Sequence, residues 1–116
     1  MMPFIKAKVN VPVTFQQERE IKSLLGRAVE SVPGKSEKYL MIIFEGNCRI
    51  WLRGNDTESA AYIEVSIYGN KSHYGYENLT LGITEAFAKV LGIPPGNIYV
   101  KYDDIKIWSV NGITIA

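Results

Sequence analysis

The chain predicts an α+β fold in which two pseudo-repeated β-α-β units build one four-stranded mixed sheet with two helices on one face. Three observations predict it. Ile5, Ala7, Val9 and Val11 alternate with Lys6, Lys8 and Asn10, the period of two of a half-buried strand. Two later stretches space their apolar residues by three and four, as an amphipathic helix does. Finally, a helix stop followed by a strand occurs twice, as GKSEKYLMI in the first half and GIPPGNIYV in the second.

The elements follow in order. After the first strand, Thr14-Phe15-Gln16-Gln17 reads as a capping box: the Thr14 hydroxyl accepts an orphan N–H and Gln17 reaches back. Ile21, Leu24, Leu25, Ala28, Val29 and Val32 form the first helical stripe, which Pro33-Gly34 ends. Residues 39–44 form an apolar run expected as a buried strand, and residues 60–67 form a third strand. Leu79, Ile83, Ala86, Phe87, Val90 and Leu91 make the second stripe, stopped by Gly92 with Pro94 and Pro95. Residues 97–102 close the plan as a strand, and short strands are expected around Ile50-Trp51 and Ile107-Trp108 for subunit contacts. Right-handed crossovers would put both helices on the same side of the sheet. The opposite face, with its mixed side chains, then calls for a partner.

Composition narrows the function. The 116 residues are 47% hydrophobic and 22% charged, ordinary globular usage for a single domain spanning 1–116. A net charge of +1 supplies no basic field for nucleic acid. No apolar run approaches the roughly 18 residues of a membrane span. Lys6, Lys8 and Asn10 break any signal-peptide core, so a cytoplasmic location is expected. Cys48 has no disulfide partner in the chain and reads as a structural thiol, and neither it nor His73 sits in a metal-ligand pattern. No metal or other cofactor is expected. Tyr68, Tyr74 and Tyr76 near Gly69 and Gly75 read as loop aromatics, and His73 as a solvated loop or helix-start residue.

PFIKAKVNVP at the start, GKSEKY after the first helix, then LGIPPGNIYVKYDD and IWSVNG keep one order and spacing over essentially the whole chain. Together they resemble the macrophage migration inhibitory factor (MIF) group of the tautomerase superfamily. The resemblance implies a homotrimer whose sheets wrap around a central channel, with three sites at the subunit interfaces. It also implies keto–enol tautomerisation of phenylpyruvate-like α-keto acids, with an N-terminal proline as base. The chemistry suits such a residue. Proline has no titrating side chain and can act only as a free terminal amine, and an α-amino group titrates near 8. Apolar burial and a nearby cation lower that value toward neutrality. The substrate further needs a cation for its carboxylate and an apolar slot for its ring.

By position, Pro3 matches the family's catalytic proline, and Lys35 the lysine beside it that lowers the amine's pKa and holds the carboxylate. Tyr68 stands where the family usually has an isoleucine whose backbone binds substrate, and Tyr99 matches a tyrosine supplied by a neighbouring subunit. Lys101 replaces an asparagine and adds a second carboxylate partner. Val110 and Ile115 replace a tryptophan and a phenylalanine, while Trp108 is kept from a bacterial-type tail. Losing two aromatic walls costs about 0.5–1.5 kcal/mol each beyond burial, which points to a slower or differently specific enzyme. The thiol pair of the mammalian cytokines is absent, since residues 60–63 carry no cysteine.

The same residues have plainer readings. Pro3 can open a strand, Lys35 can complement a helix C-terminus, Tyr99 can be a core aromatic, and Lys101 can be a solvated or interface lysine. Methionine removal generally requires a small second residue, so a chain beginning Met1-Met2 keeps both and leaves Pro3 an amide. Translation from Met2 instead exposes Pro3 in one step. Two functions therefore stand: a small tautomerase, or a non-catalytic trimeric domain that keeps the fold to bind a ligand or protein. A dimer would also cover the open sheet face.

Overall fold

The computed structural model describes residues 2–116, so the reading of Met1 lies outside the described residues. Two strand–helix–strand units are visible. The first contains β1 (Pro3–Val9), α1 (Phe15–Ala28) and β2 (Met41–Glu45). The second contains β3 (Ala61–Tyr68), α2 (Tyr76–Leu91) and β4 (Ile98–Ile105). A hairpin of β5 (Trp108–Val110) and β6 (Ile113–Ile115) ends the chain as a separate two-stranded sheet.

The main sheet has the order β2-β1-β3-β4. Within each unit the strands are parallel, and β1 meets β3 antiparallel at the centre. This is the mixed sheet expected from the repeat. Ile5, Ala7 and Val9 of β1 and Ala61, Ile63, Val65 and Ile67 of β3 are buried with Ile21 and Leu25 of α1 and Leu79, Ile83 and Phe87 of α2. Both helices therefore cover the same face. They cross closely where Gly82 meets Ala28: a Cβ added at Gly82 would lie 2.7 Å from that of Ala28.

The capping box forms as read. Gln17 N donates to Thr14 Oγ1 at 3.1 Å, and Thr14 N donates to Gln17 Oε1 at 2.9 Å. The α-helix stops earlier than its apolar stripe, at Ala28, and a 3-10 turn (Val29–Ser31) carries the chain on. Val32 is extended, as a residue before proline tends to be, and Gly34 turns the chain with φ +76°. Residues 39–44 need a correction. Tyr39 belongs to a 3-10 turn, the strand begins at Met41, and Met41 and Ile43 are exposed because they project from the uncovered face of an edge strand. Ile50-Trp51 is no strand either: that stretch leads into a tight turn closed by the Leu52–Asn55 bridge. The last strand of the sheet runs beyond the expected 102 to Ile105.

The uncovered face carries Lys6, Glu45, Glu64, Lys101 and Asp103 among Phe4, Met41, Ile43, Tyr62 and Tyr99. Ion pairs link Lys6 to Glu45 at 3.5 Å and Lys101 to Glu64 and Asp103 at 3.8 and 3.4 Å.

Gly75, which caps α2 at φ +87°, tests the packing between the halves. A Cβ there runs into the Ser31 carbonyl, and the left-handed backbone disfavours any L side chain. Gly75→Ala should therefore destabilise the fold by about 2 kcal/mol or more, read as a lower urea midpoint at unchanged slope.

Candidate functional site

Sheet register gathers three of the expected residues at one end. Pro3 opens β1, is buried on the helix side, and sits opposite Ile67. The next residue, Tyr68, ends β3. Lys35 arrives from the turn after α1, where its N–H donates to the Val32 carbonyl at 3.1 Å. Its side chain is only 8% exposed, and its Nζ donates to the Tyr68 carbonyl at 2.7 Å. Among the described residues this backbone carbonyl is the only hydrogen-bond acceptor the structure gives that ammonium, and an ammonium carries three donors. The two remaining N–H groups are suited to an anion, such as a carboxylate at the strand ends. Met2, 7% exposed, packs into the fold next to Pro3.

The hairpin grows from the same end. Ile105, the last residue of β4, is the register partner of Tyr68, and β5 starts three residues later. Trp108 pairs with Ile115, and Val110 with Ile113. Trp108 and Ile115 are half-buried and Val110 is exposed.

Tyr99 and Lys101 lie elsewhere. Tyr99 is the partner of Tyr62, five positions from Ile67 along β3, or about 16 Å at the rise of a strand. It is 56% exposed on the uncovered face, and so is not a core aromatic in the single chain. Lys101 shares that face, where Asp103 first, then Tyr62 and Glu64, hold its pKa above the ordinary lysine value. One chain therefore cannot bring Pro3 and Tyr99 around the same small molecule. A site containing both requires the Tyr99 end of a second copy.

Two clusters were not legible in the sequence. Beside the Pro3 end, His73 Nε2 lies 2.5 Å from Asp104 Oδ2, and Tyr76 O–H donates to Asp104 Oδ1 at 3.2 Å. The His73 and Tyr76 rings stack at 5.1 Å, and those of Tyr76 and Tyr102 at 4.3 Å. Tyr102 O–H in turn lies 2.6 Å from Thr80 Oγ1. His73 and Tyr76 thus fasten the loop after Tyr68 to β4 and are more than loop residues, whereas Tyr74 is exposed. At the other end, buried Asn97 accepts from Arg53 at 2.5 Å and donates to Glu58 Oε1 at 3.2 Å and to the Ser59 carbonyl at 2.9 Å. Hydrogen bonds from Asn55 and then Asn97 hold the Glu58 carboxyl below its ordinary pKa. The only sequence signal for either cluster was polar or aromatic residues beside turn glycines, with no indication of their partners. Cys48 Sγ donates to the Glu45 carbonyl at 3.5 Å.

Among the described residues, no group of three or more His, Cys, Asp or Glu side chains is placed to hold a metal ion, and no helix is long and apolar enough to cross a membrane.

Two parallel strand–helix–strand units joined antiparallel, with a buried lysine at the sheet end where Pro3 opens β1, define a tautomerase-like α+β protein. The sequence profile of the macrophage migration inhibitory factor (MIF) family matches residues 2–116, and the chain belongs to that family. Its structure is similar to that of MIF2 from Leishmania major, with a TM-score of 0.90 at 29% identity, covering 98% of this chain and 97% of that one. It also resembles a MIF homologue from Prochlorococcus marinus, with a TM-score of 0.85 at 24% identity over 97% and 99% of the two chains. MIF from Toxoplasma gondii gives a TM-score of 0.87 at 19% identity over 97% and 99%. These last two likenesses bear on the fold alone. No curated protein matches the chain by sequence.

The aromatic cluster makes a pH-dependent prediction. Burial first, then Asp104, pushes the Tyr76 phenol from 10 up to about 12. The folded chain thus holds this proton more tightly than the unfolded one. The resulting stability is fully present below pH 10 and is lost as pH rises through about 12. Tyr76→Phe keeps the ring but has no such proton, so urea unfolding of the variant should lose less stability between pH 9 and 11 than the parent.

Proposed function

We propose that the chain is a keto–enol tautomerase of the MIF type, acting on phenylpyruvate-like α-keto acids as a homotrimer with sites between subunits. The observation that carries this reading is the buried Lys35 ammonium, held by the Tyr68 carbonyl at 2.7 Å beside the start of the strand that Pro3 opens. A buried cation with unused donors beside a potential amine base is what proton transfer next to a carboxylate requires.

In this reading Pro3 is the first residue of the working enzyme. With Met2 attached, its nitrogen is an amide with no useful basicity. Removing Met2 frees a secondary amine and vacates the space its buried side chain fills. Lys35 disfavours a second positive charge nearby and keeps a fraction of that amine neutral at physiological pH. The neutral amine takes a proton from the carbon next to the substrate carbonyl. The C–H electron pair becomes the enol double bond, and the carbonyl oxygen, now carrying the displaced pair, is protonated by the prolinium or by water. In the reverse direction the amine takes the enol O–H proton and the prolinium protonates carbon. Lys35 holds the carboxylate throughout, with the Tyr68 backbone fixing its ammonium. Tyr99 of a neighbouring copy closes the site, and Trp108, Val110 and Ile115 of the hairpin border it, Trp108 being the one aromatic among them. Lys101, occupied by Glu64 and Asp103 on the channel-facing side, is a secondary contact at most for an acidic substrate.

Matched preparations beginning at Met1 and at Pro3, each verified by intact mass, test the proposal by phenylpyruvate tautomerisation. Activity in the Pro3 form alone is expected. In that form Lys35→Ala should lower kcat/KM roughly 10- to 100-fold, the cost of losing a charge-assisted contact. Well-folded trimers inactive in both forms would leave the alternative, a non-catalytic MIF-like binding protein.

A further inference from the structure

The family reading leaves Trp108 as the one aromatic wall on the hairpin, because Val110 and Ile115 offer none. The opposite end of the sheet offers another. A cleft of about 210 Å³ lies beside Tyr99, lined by Trp51, Leu52, Tyr62 and Asn97 among others. Its size suits a single ring, since an apolar cavity of about 150 Å³ holds benzene. Trp51 is 64% exposed, and its indole offers a broad apolar face with a polar N–H at its edge, a combination suited to recognition.

Trp51 is also held in place from both sides. Just before it, Cys48 N donates to the Val9 carbonyl at 2.9 Å and Asn47 N to the Val11 carbonyl at 3.0 Å. Just after it, Leu52 and Asn55 exchange backbone hydrogen bonds of 2.8 and 3.1 Å, and Arg53 is tied to buried Asn97 at the foot of β4. The indole is therefore carried on a braced loop, which lowers the entropic cost of using it in binding.

We propose that Trp51, together with Tyr99, forms an aromatic wall that receives the ring of an aryl α-keto acid whose carboxylate is bound at Lys35 of a neighbouring copy. This inference rests on the tautomerase reading and assigns its ring specificity to a residue from the Tyr99 end, in addition to Trp108 of the hairpin. Trp51 is a specificity-determining residue and takes no part in proton transfer.

The test compares Trp51→Ala and Trp51→Phe in protein beginning at Pro3, with phenylpyruvate and the aliphatic 4-methyl-2-oxopentanoate as substrates. Trp51→Ala should raise KM for phenylpyruvate by about tenfold at nearly constant kcat and leave the aliphatic acid within about twofold, and Trp51→Phe should recover most of the loss. Equal losses on both substrates, or dissociation of the oligomer by light scattering, would overturn the proposal and make Trp51 an assembly residue. If the parent turns over neither acid, the tautomerase reading fails separately. Titration with 3-phenylpropanoate then decides the ring site: saturable quenching of tryptophan fluorescence that disappears in Trp51→Phe supports it, and quenching unchanged by the substitution refutes it.

Discussion

The antiparallel pairing of β1 with β3 sets the positions of nearly everything else. Because Pro3 lies opposite Ile67, Tyr68 ends its strand beside the first residue of β1. A shift of one residue would turn Ile5, Ala7 and Val9 out of the core and bring Lys6 and Lys8 into it. The hydrophobic alternation therefore locks the register, and the register delivers the Tyr68 carbonyl to Lys35. In this protein core packing and site geometry have a common cause.

The helix ends matter for the same reason. Val32 is held extended by the proline that follows it, and Gly34 reverses the chain in a left-handed conformation. The lysine after that turn is thereby carried to the end of the central strands and buried. In a more exposed setting Lys35 would serve as a solvated helix-terminal cation. Here burial and a backbone carbonyl at 2.7 Å turn it into a directed donor.

The two ends of the sheet give the chain two separate half-sites. One end holds Pro3, Lys35, Tyr68 and the hairpin root, and the other holds Tyr99, Trp51 and the Asn97 brace. Strand rise keeps them too far apart to act together in one chain. Assembly is thus a requirement of the proposed chemistry as well as a means of covering Met41 and Ile43.

Periodicity and caps made the two-unit plan legible in the sequence, because the spacing of apolar residues and the Thr14–Gln17 box act over a few neighbours. The family resemblance marked Pro3, Lys35, Tyr68 and Tyr99 by position. Where local signals competed, the sequence misled: an apolar run at 39–44 cannot reveal that it forms an edge with one bare face, and Ile50-Trp51 has strand-like composition in an irregular stretch before a turn. The contacts that join His73 and Tyr76 to Asp104 and Tyr102, and Arg53 to Asn97, span 26 or more residues. Only the tertiary structure could decide those contacts, since they depend on which strand ends the sheet brings together. The sequence by itself determined the elements and the core face, through local periodicity. The fold alone decided that Lys35 is buried against Tyr68 and that Tyr99 and Trp51 share a cleft at the far end of the sheet.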